Sequence, residues 1–212
     1  MILTVIATIA IVIMSIVVHE VSHGYAADAL GDPTPRLQGR LTLNPIKHLD
    51  PIGSVIIPLV AYFLGGFIFG WAKPVMINPY NFAHRKRDEL LVALAGPFSN
   101  VLIALGFVLM ANGISYLAST GSISTAVAES FVGISITVVL TNFVLALFNL
   151  IPIPPLDGSK ILFAIMPEKY DYMRRYLEGT GFILIVLLIA FTGPFIGGIA
   201  SHITQSLFNI GS

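Results

Sequence analysis

The chain has 212 residues, 56% hydrophobic and 10% charged, with a formal net charge of zero and no cysteine. A soluble domain carries about 25% charged residues, so this composition and the mean hydropathy of +0.89 indicate an integral membrane protein in a lipid bilayer, with no large soluble domain. Zero net charge gives no footing for nucleic acid, and the lack of cysteine excludes disulfides and thiolate metal sites.

The spacing predicts a first helix from Ile2 to Leu30, stopped by Gly31-Asp32-Pro33. It lacks the basic flank and small-residue cleavage site of a signal peptide. A polar stretch with Arg36, Arg40 and Lys47 follows, and Arg36 to Leu43 alternates as a short strand would. Ile52 to Gly70 is apolar but holds Pro58 and Gly65-Gly66, so a straight span is not expected. Trp71 to Asn78 alternates and is interrupted by Pro, as an edge strand is. Further spans are predicted over about Leu90 to Met110 and Ser130 to Leu150, with a small-residue loop, Asn112 to Glu129, between them. The second of these breaks at Ile151-Pro152-Ile153-Pro154-Pro155-Leu156-Asp157-Gly158. A short segment, Ser159 to Met166, leads to a charged stretch, and a last span covers about Gly181 to Phe195.

All Lys and Arg fall within 36–47, 73–87 and 160–175, which the positive-inside rule places on the cytoplasmic side. The segment 52–70 is then re-entrant or bent. The expected fold is an all-α polytopic membrane protein, one domain over 1–212. It has about four full transmembrane helices, the re-entrant segment and a small cytoplasmic-side β element. The same parity brings the cytoplasmic half of the first helix, the early turns of the third segment and the exit of the fourth to similar depth.

His19-Glu20-Val21-Ser22-His23 continues the first apolar helix. Intramembrane ionisable groups are costly without a partner. Residues four apart share a helix face, so His19 and His23 can bind one metal ion, with Glu20 beside it as general base. Catalytic zinc takes a third protein ligand. Asp157 is the foremost candidate, at a Pro-broken helix exit; capping of the next helix is its other reading. His48, His84 and His202 are weaker candidates that interfacial solvation explains. Asn100 and Asn149 are amides in or at the end of apolar segments, suited either to a substrate carbonyl or oxyanion or to holding helices together. Asn142 reads as packing, and Gly96-Pro97 as a site of close helix approach.

HEVSH, AGPFSN (Ala95 to Asn100) and FNLIPIPPLDG (Phe148 to Gly158) together resemble the site-2 protease family of intramembrane zinc metalloproteases. The resemblance spans residues 19 to 158. It implies one catalytic zinc ion on His19, His23 and Asp157, Glu20 activating water, and Asn149 with Asn100 holding substrate or oxyanion. It also implies cleavage in or beside a transmembrane helix of a membrane-tethered protein. The expected setting is a prokaryotic cell membrane, with the site nearer the cytoplasmic face. Larger members carry a PDZ insertion or nucleotide-sensing module not seen here. An unwound substrate is expected to pair with one of the candidate strands. A transporter or metal channel would spread polar residues through the membrane depth, whereas here they gather near one side. A metalloprotease with a helical Glu as third ligand has only Glu129, Glu168 and Glu178, without a second motif. An inactive relative serving as a binding module is disfavoured by the intact Glu20.

Overall fold

The computed structural model describes residues 2–50, 73–167, 177, 179 and 195–208. Helix α1 (Ile2–Ala29) carries the HEVSH motif. It ends where the Asp32 N–H turns back to the Ala27 carbonyl at 2.9 Å and Gly31 takes φ +104°, a conformation that costs glycine nothing. A short helix α2 (Thr34–Leu37) and a 3-10 turn (Pro45–His48) follow. Helix α3 (Arg85–Ser119) and helix α4 (Thr125–Asn149) are long and apolar, and helix α5 (Asp157–Ile165) is short and amphipathic. Residues 195–207 are also helical.

Three of these helices are long and apolar enough to cross a membrane: Leu3–Ala29, Arg85–Ser119 and Thr125–Asn149. The expected re-entrant segment 52–70 and most of the expected last span, 181–195, lie outside the described residues. Helix α3 is longer at both ends than its apolar run predicts. At 35 residues it measures about 50 Å, well beyond the hydrocarbon thickness. Its start is tied by the Asp88 carboxylate, which accepts from the His84 N–H at 2.9 Å. Its far end takes 112–119 of the expected loop 112–129, and the start of α4 takes 125–129. Nothing there breaks a helix until Gly121 at φ +74°, so the connection shrinks to residues 120–124 and the Ser124 side chain caps α4.

No strand forms among the described residues: 36–43 is helix and turn instead, and the expected strand 71–78 lies partly outside them. Residues 34–37 are helical because Pro35 stands in the first turn of α2, where proline's missing N–H is harmless. Residues 73–78 have no ladder partner among the described residues. The Lys73 N–H donates to the His48 carbonyl at 2.8 Å, and side chains hold the rest. Fully buried Asp32 accepts from the Asn78 N–H at 2.7 Å, the Asn81 amide at 2.7 Å and the Thr34 N–H and hydroxyl. Burial would raise the Asp32 carboxyl, but the hydrogen bonds from Thr34, Asn78 and Asn81 outweigh it and hold it below the ordinary carboxylate range.

Two apolar groupings position the site. Ala104 and Val108 of α3, Val139 and Phe143 of α4 and Ala200 form one core, and Ala27, Phe82 and Val92 form the other. The first locks α3 to α4; the second locks the end of α1 to the start of α3.

Candidate metal centre

Asp157 opens α5 directly after the Pro-rich turn, and its carboxylate meets the one-turn pair His19 and His23 of α1. His19 Nε2 lies 3.1 Å and His23 Nε2 3.0 Å from Asp157 Oδ2, and the two Nε2 atoms are 3.1 Å apart. The rings are nearly perpendicular, and all three residues are buried. Residues 138 positions apart are thus brought to one point. Ligands around a tetrahedral zinc ion stand about 3.3 Å apart, close to this triangle.

Proton placement shows what the triangle needs. His23 Nδ1 is 2.7 Å from the Val92 carbonyl oxygen, which can only accept, so the proton sits on Nδ1 and the lone pair on Nε2. His19 Nδ1 is 2.7 Å from Asn100 Oδ1, with the same result. Asp157 is a carboxylate. The Lys160 ammonium, 3.0 Å from Oδ1, favours that charged form. With both rings neutral, three acceptors converge with no proton among them, an arrangement that a cation stabilises.

Two glycines make the room. A Cβ on Gly96 would stand 2.4 Å from His23 Nε2 and 2.6 Å from His19 Nε2, so only glycine lets α3 approach the imidazoles from that side. A Cβ on Gly158 would stand 2.3 Å from the Leu150 carbonyl oxygen and 2.4 Å from that of Ile151. Glycine there allows the turn to fold onto the end of α4 and deliver Asp157. Pro154 is fully buried within the same turn. The His-His-Asp set, the lone pairs and the Gly96 cradle all fit a zinc ion.

Glu20, next to His19, is half-buried and accepts from the Val75 N–H at 2.9 Å. Segment 73–78 thus touches the site through its main chain. Asn100 stands behind His19: it is fully buried, and its amide donates to Asn142 Oδ1 at 2.8 Å and to the Ser15 carbonyl at 3.4 Å. Asn149 is half-buried at the end of α4 and donates to the Leu145 carbonyl of its own helix at 2.9 Å. Among the described residues it makes no side-chain hydrogen bond to the His-His-Asp cluster. His48 is buried beside Thr42, His84 precedes α3 and His202 is exposed; none joins the cluster.

Sequence reasoning missed the Val92 carbonyl, Ser15 and Lys160, and read Asn142 as packing. Ser15 carried a signal, since it lies four residues before His19 on the face of α1 that continues to His23. The Val92 carbonyl carried none, because a backbone atom has no residue type.

The model of peptidase family M50 matches residues 112–191. YwhC of Bacillus subtilis, whose name assigns it provisionally to the zinc metalloproteases, is 41% identical over 204 residues, which cover 94% of this chain and 84% of its own. Rip2 of Mycolicibacterium smegmatis, named in the same provisional way, is 31% identical over 84% of this chain and 64% of its own. The zinc metalloprotease MJ0392 of Methanocaldococcus jannaschii is 27% identical over 76% of this chain and 34% of its own. No solved structure matches. With the motifs in this order and such similarity along nearly its whole length, the chain belongs to peptidase family M50, the site-2 protease family of intramembrane zinc metalloproteases.

Proposed function

We propose that His19, His23 and Asp157 hold the catalytic zinc ion of this intramembrane protease, and that Glu20 is its general base. One observation carries the reading: three buried acceptors converge on a point from which their own protons are directed away. Zinc bound there supplies Lewis acidity toward a peptide carbonyl and makes water a nucleophile at neutral pH. Glu20 takes the proton of the attacking water at a carboxylate oxygen and delivers it to the leaving amine. The Val75 N–H on Oε2 orients that carboxylate. Asn100 holds the His19 ring from behind. Asn149 spends one of its two amide N–H groups on the Leu145 carbonyl and keeps the other for a substrate carbonyl.

The substrate is a membrane protein with a transmembrane helix, which must unwind to expose its carbonyls; the stretch 73–78 is the main chain it would lie against. The catalytic unit is a single membrane domain over 1–212. The site lies nearer the cytoplasmic face, as the basic residues around 36–47, 73–87 and 160–175 indicate. Because the chain has no cysteine, Gln38→Cys tests the side: an impermeant thiol reagent should label it in inverted vesicles and not in intact cells.

Purified wild type should hold about one zinc. Glu20→Gln should retain it and lose cleavage of the membrane proteins that co-purify with that variant. His23→Ala and Asp157→Ala should lose the ion. Full zinc occupancy in Asp157→Ala would overturn the ligand set; undiminished cleavage by Glu20→Gln would overturn the base.

A further inference from the structure

The two histidines are oriented by different means. His23 faces a backbone carbonyl, which has one possible role. His19 faces a carboxamide, which can present either oxygen or NH2 by a half-turn that barely changes its shape. Reversed, Asn100 would offer a donor to Nδ1, and the ring proton would move to Nε2, the atom that faces Asp157 and His23. Something must therefore set the direction of Asn100.

The buried chain behind it does so. Asn142 of α4 is fully buried, with Nδ2 2.9 Å from the Val138 carbonyl oxygen and 3.0 Å from Ser15 Oγ. The Val138 carbonyl can only accept, so Asn142 must turn its NH2 there and its oxygen toward Asn100. Asn100 must answer with its NH2, at 2.8 Å, and that leaves its oxygen for His19 at 2.7 Å. The Ser15 carbonyl, 3.4 Å from Asn100 Nδ2, favours the same direction. The sequence Val138 carbonyl, Asn142, Asn100, His19 thus has one polarity, anchored at an atom that cannot donate.

We infer that Asn142, supported by Ser15, is a positioning residue that sets the tautomer of His19 by fixing the direction of Asn100. The inference rests on His19 being a metal ligand, as proposed above. It assigns a role in metal retention to a residue on α4 that touches neither the ligand triangle nor Glu20. Interhelical packing alone would be indifferent to which end of Asn100 faces His19.

Zinc retention against a competing chelator tests this in the detergent-purified full chain. Outer hydrogen bonds of this kind are worth about 10–100-fold in metal affinity, so Asn142→Leu, close in volume, should bind zinc about 10–100-fold more weakly than wild type. Asn100→Asp presents an accepting oxygen whichever way it turns and needs no director. In the Asn142→Leu background it should restore affinity to within about threefold of the Asn100→Asp single variant, a non-additivity that a packing defect would not show. Unchanged affinity in Asn142→Leu, or no restoration by Asn100→Asp, overturns the inference. Should Asn142→Leu fail to fold, nitrogen NMR of zinc-stripped wild type labelled at histidine decides. Protonated Nδ1 and bare Nε2 at His19 are expected, and the opposite tautomer refutes the chain of direction. A wild type that binds no zinc would instead sink the ligand assignment itself, so the two failures are distinguishable.

Discussion

Adding one methyl group at Gly96 should disable the centre. The new Cβ would lie 2.4 Å from His23 Nε2 and 2.6 Å from His19 Cε1 and Nε2, against 3.4 Å or more for ordinary contact, so α1 and α3 must part by 3.4 − 2.4 = 1.0 Å or the rings must rotate. Neither ring can retreat freely, because Val92 O and Asn100 Oδ1 hold their far sides at 2.7 Å. Both holders belong to α3, one turn to either side of Gly96, so pushing the helices apart also stretches the bonds that orient the ligands. Overpacking of this kind costs about 1–3 kcal/mol, and the lost orientation should weaken zinc by at least about 10–100-fold. The assay is zinc per protein after chelator washing, with thermal unfolding of the metal-free protein measured in parallel. Gly106→Ala is the control, since it lies on the same helix with nothing within 4 Å. It should keep its zinc and gain about 0.5–1 kcal/mol from the better helix former. Full zinc and wild-type cleavage in Gly96→Ala would refute the cradle.

Gly158→Ala should likewise lose zinc, because its Cβ would meet two backbone carbonyls at 2.3–2.4 Å and the turn carrying Asp157 must rearrange; retention of the metal would show that the turn has slack. Val75→Pro removes the N–H that Glu20 accepts. Zinc should remain bound while cleavage falls by about tenfold or more, since a base is only as effective as its placement, and unchanged cleavage would separate segment 73–78 from the reaction. Asp32→Asn replaces an oxygen facing hydrogen-bond donors with an NH2 and should cost about 1–3 kcal/mol at neutral pH. The folded-state carboxyl lies below its ordinary value of 3.8, so the stabilisation is fully present above that value and is lost as the pH falls toward the folded pKa. In pH-dependent thermal unfolding, the gap between wild type and Asp32→Asn should begin to narrow as the pH falls below about 4; a gap that does not change with pH there would contradict the depressed pKa.

What the amino-acid order determined unaided is whatever depends on local periodicity and on residue type. The apolar runs of α1, α3 and α4 had to become membrane-length helices, because a bilayer leaves a backbone few other ways to satisfy its polar groups. On α1, the spacing of His19 and His23 put two imidazoles on one face before any partner was known. A carboxylate beside Pro155 and Gly158 likewise marked Asp157 as the third ligand to suspect. Tertiary structure decided what depends on which atom faces which. Alternation suggested strands at 36–43 and 71–78, but residues 34–37 wind into α2, and in the second segment the N–H groups of Lys73, Val75 and Asn78 go to the His48 carbonyl, Glu20 and Asp32. Asn100 sits behind His19 and Asn142 behind Asn100 because three helices meet there, and the direction of that polar chain is set by a carbonyl oxygen at Val138. Every residue carries such an oxygen, so no reading of side chains could have singled it out.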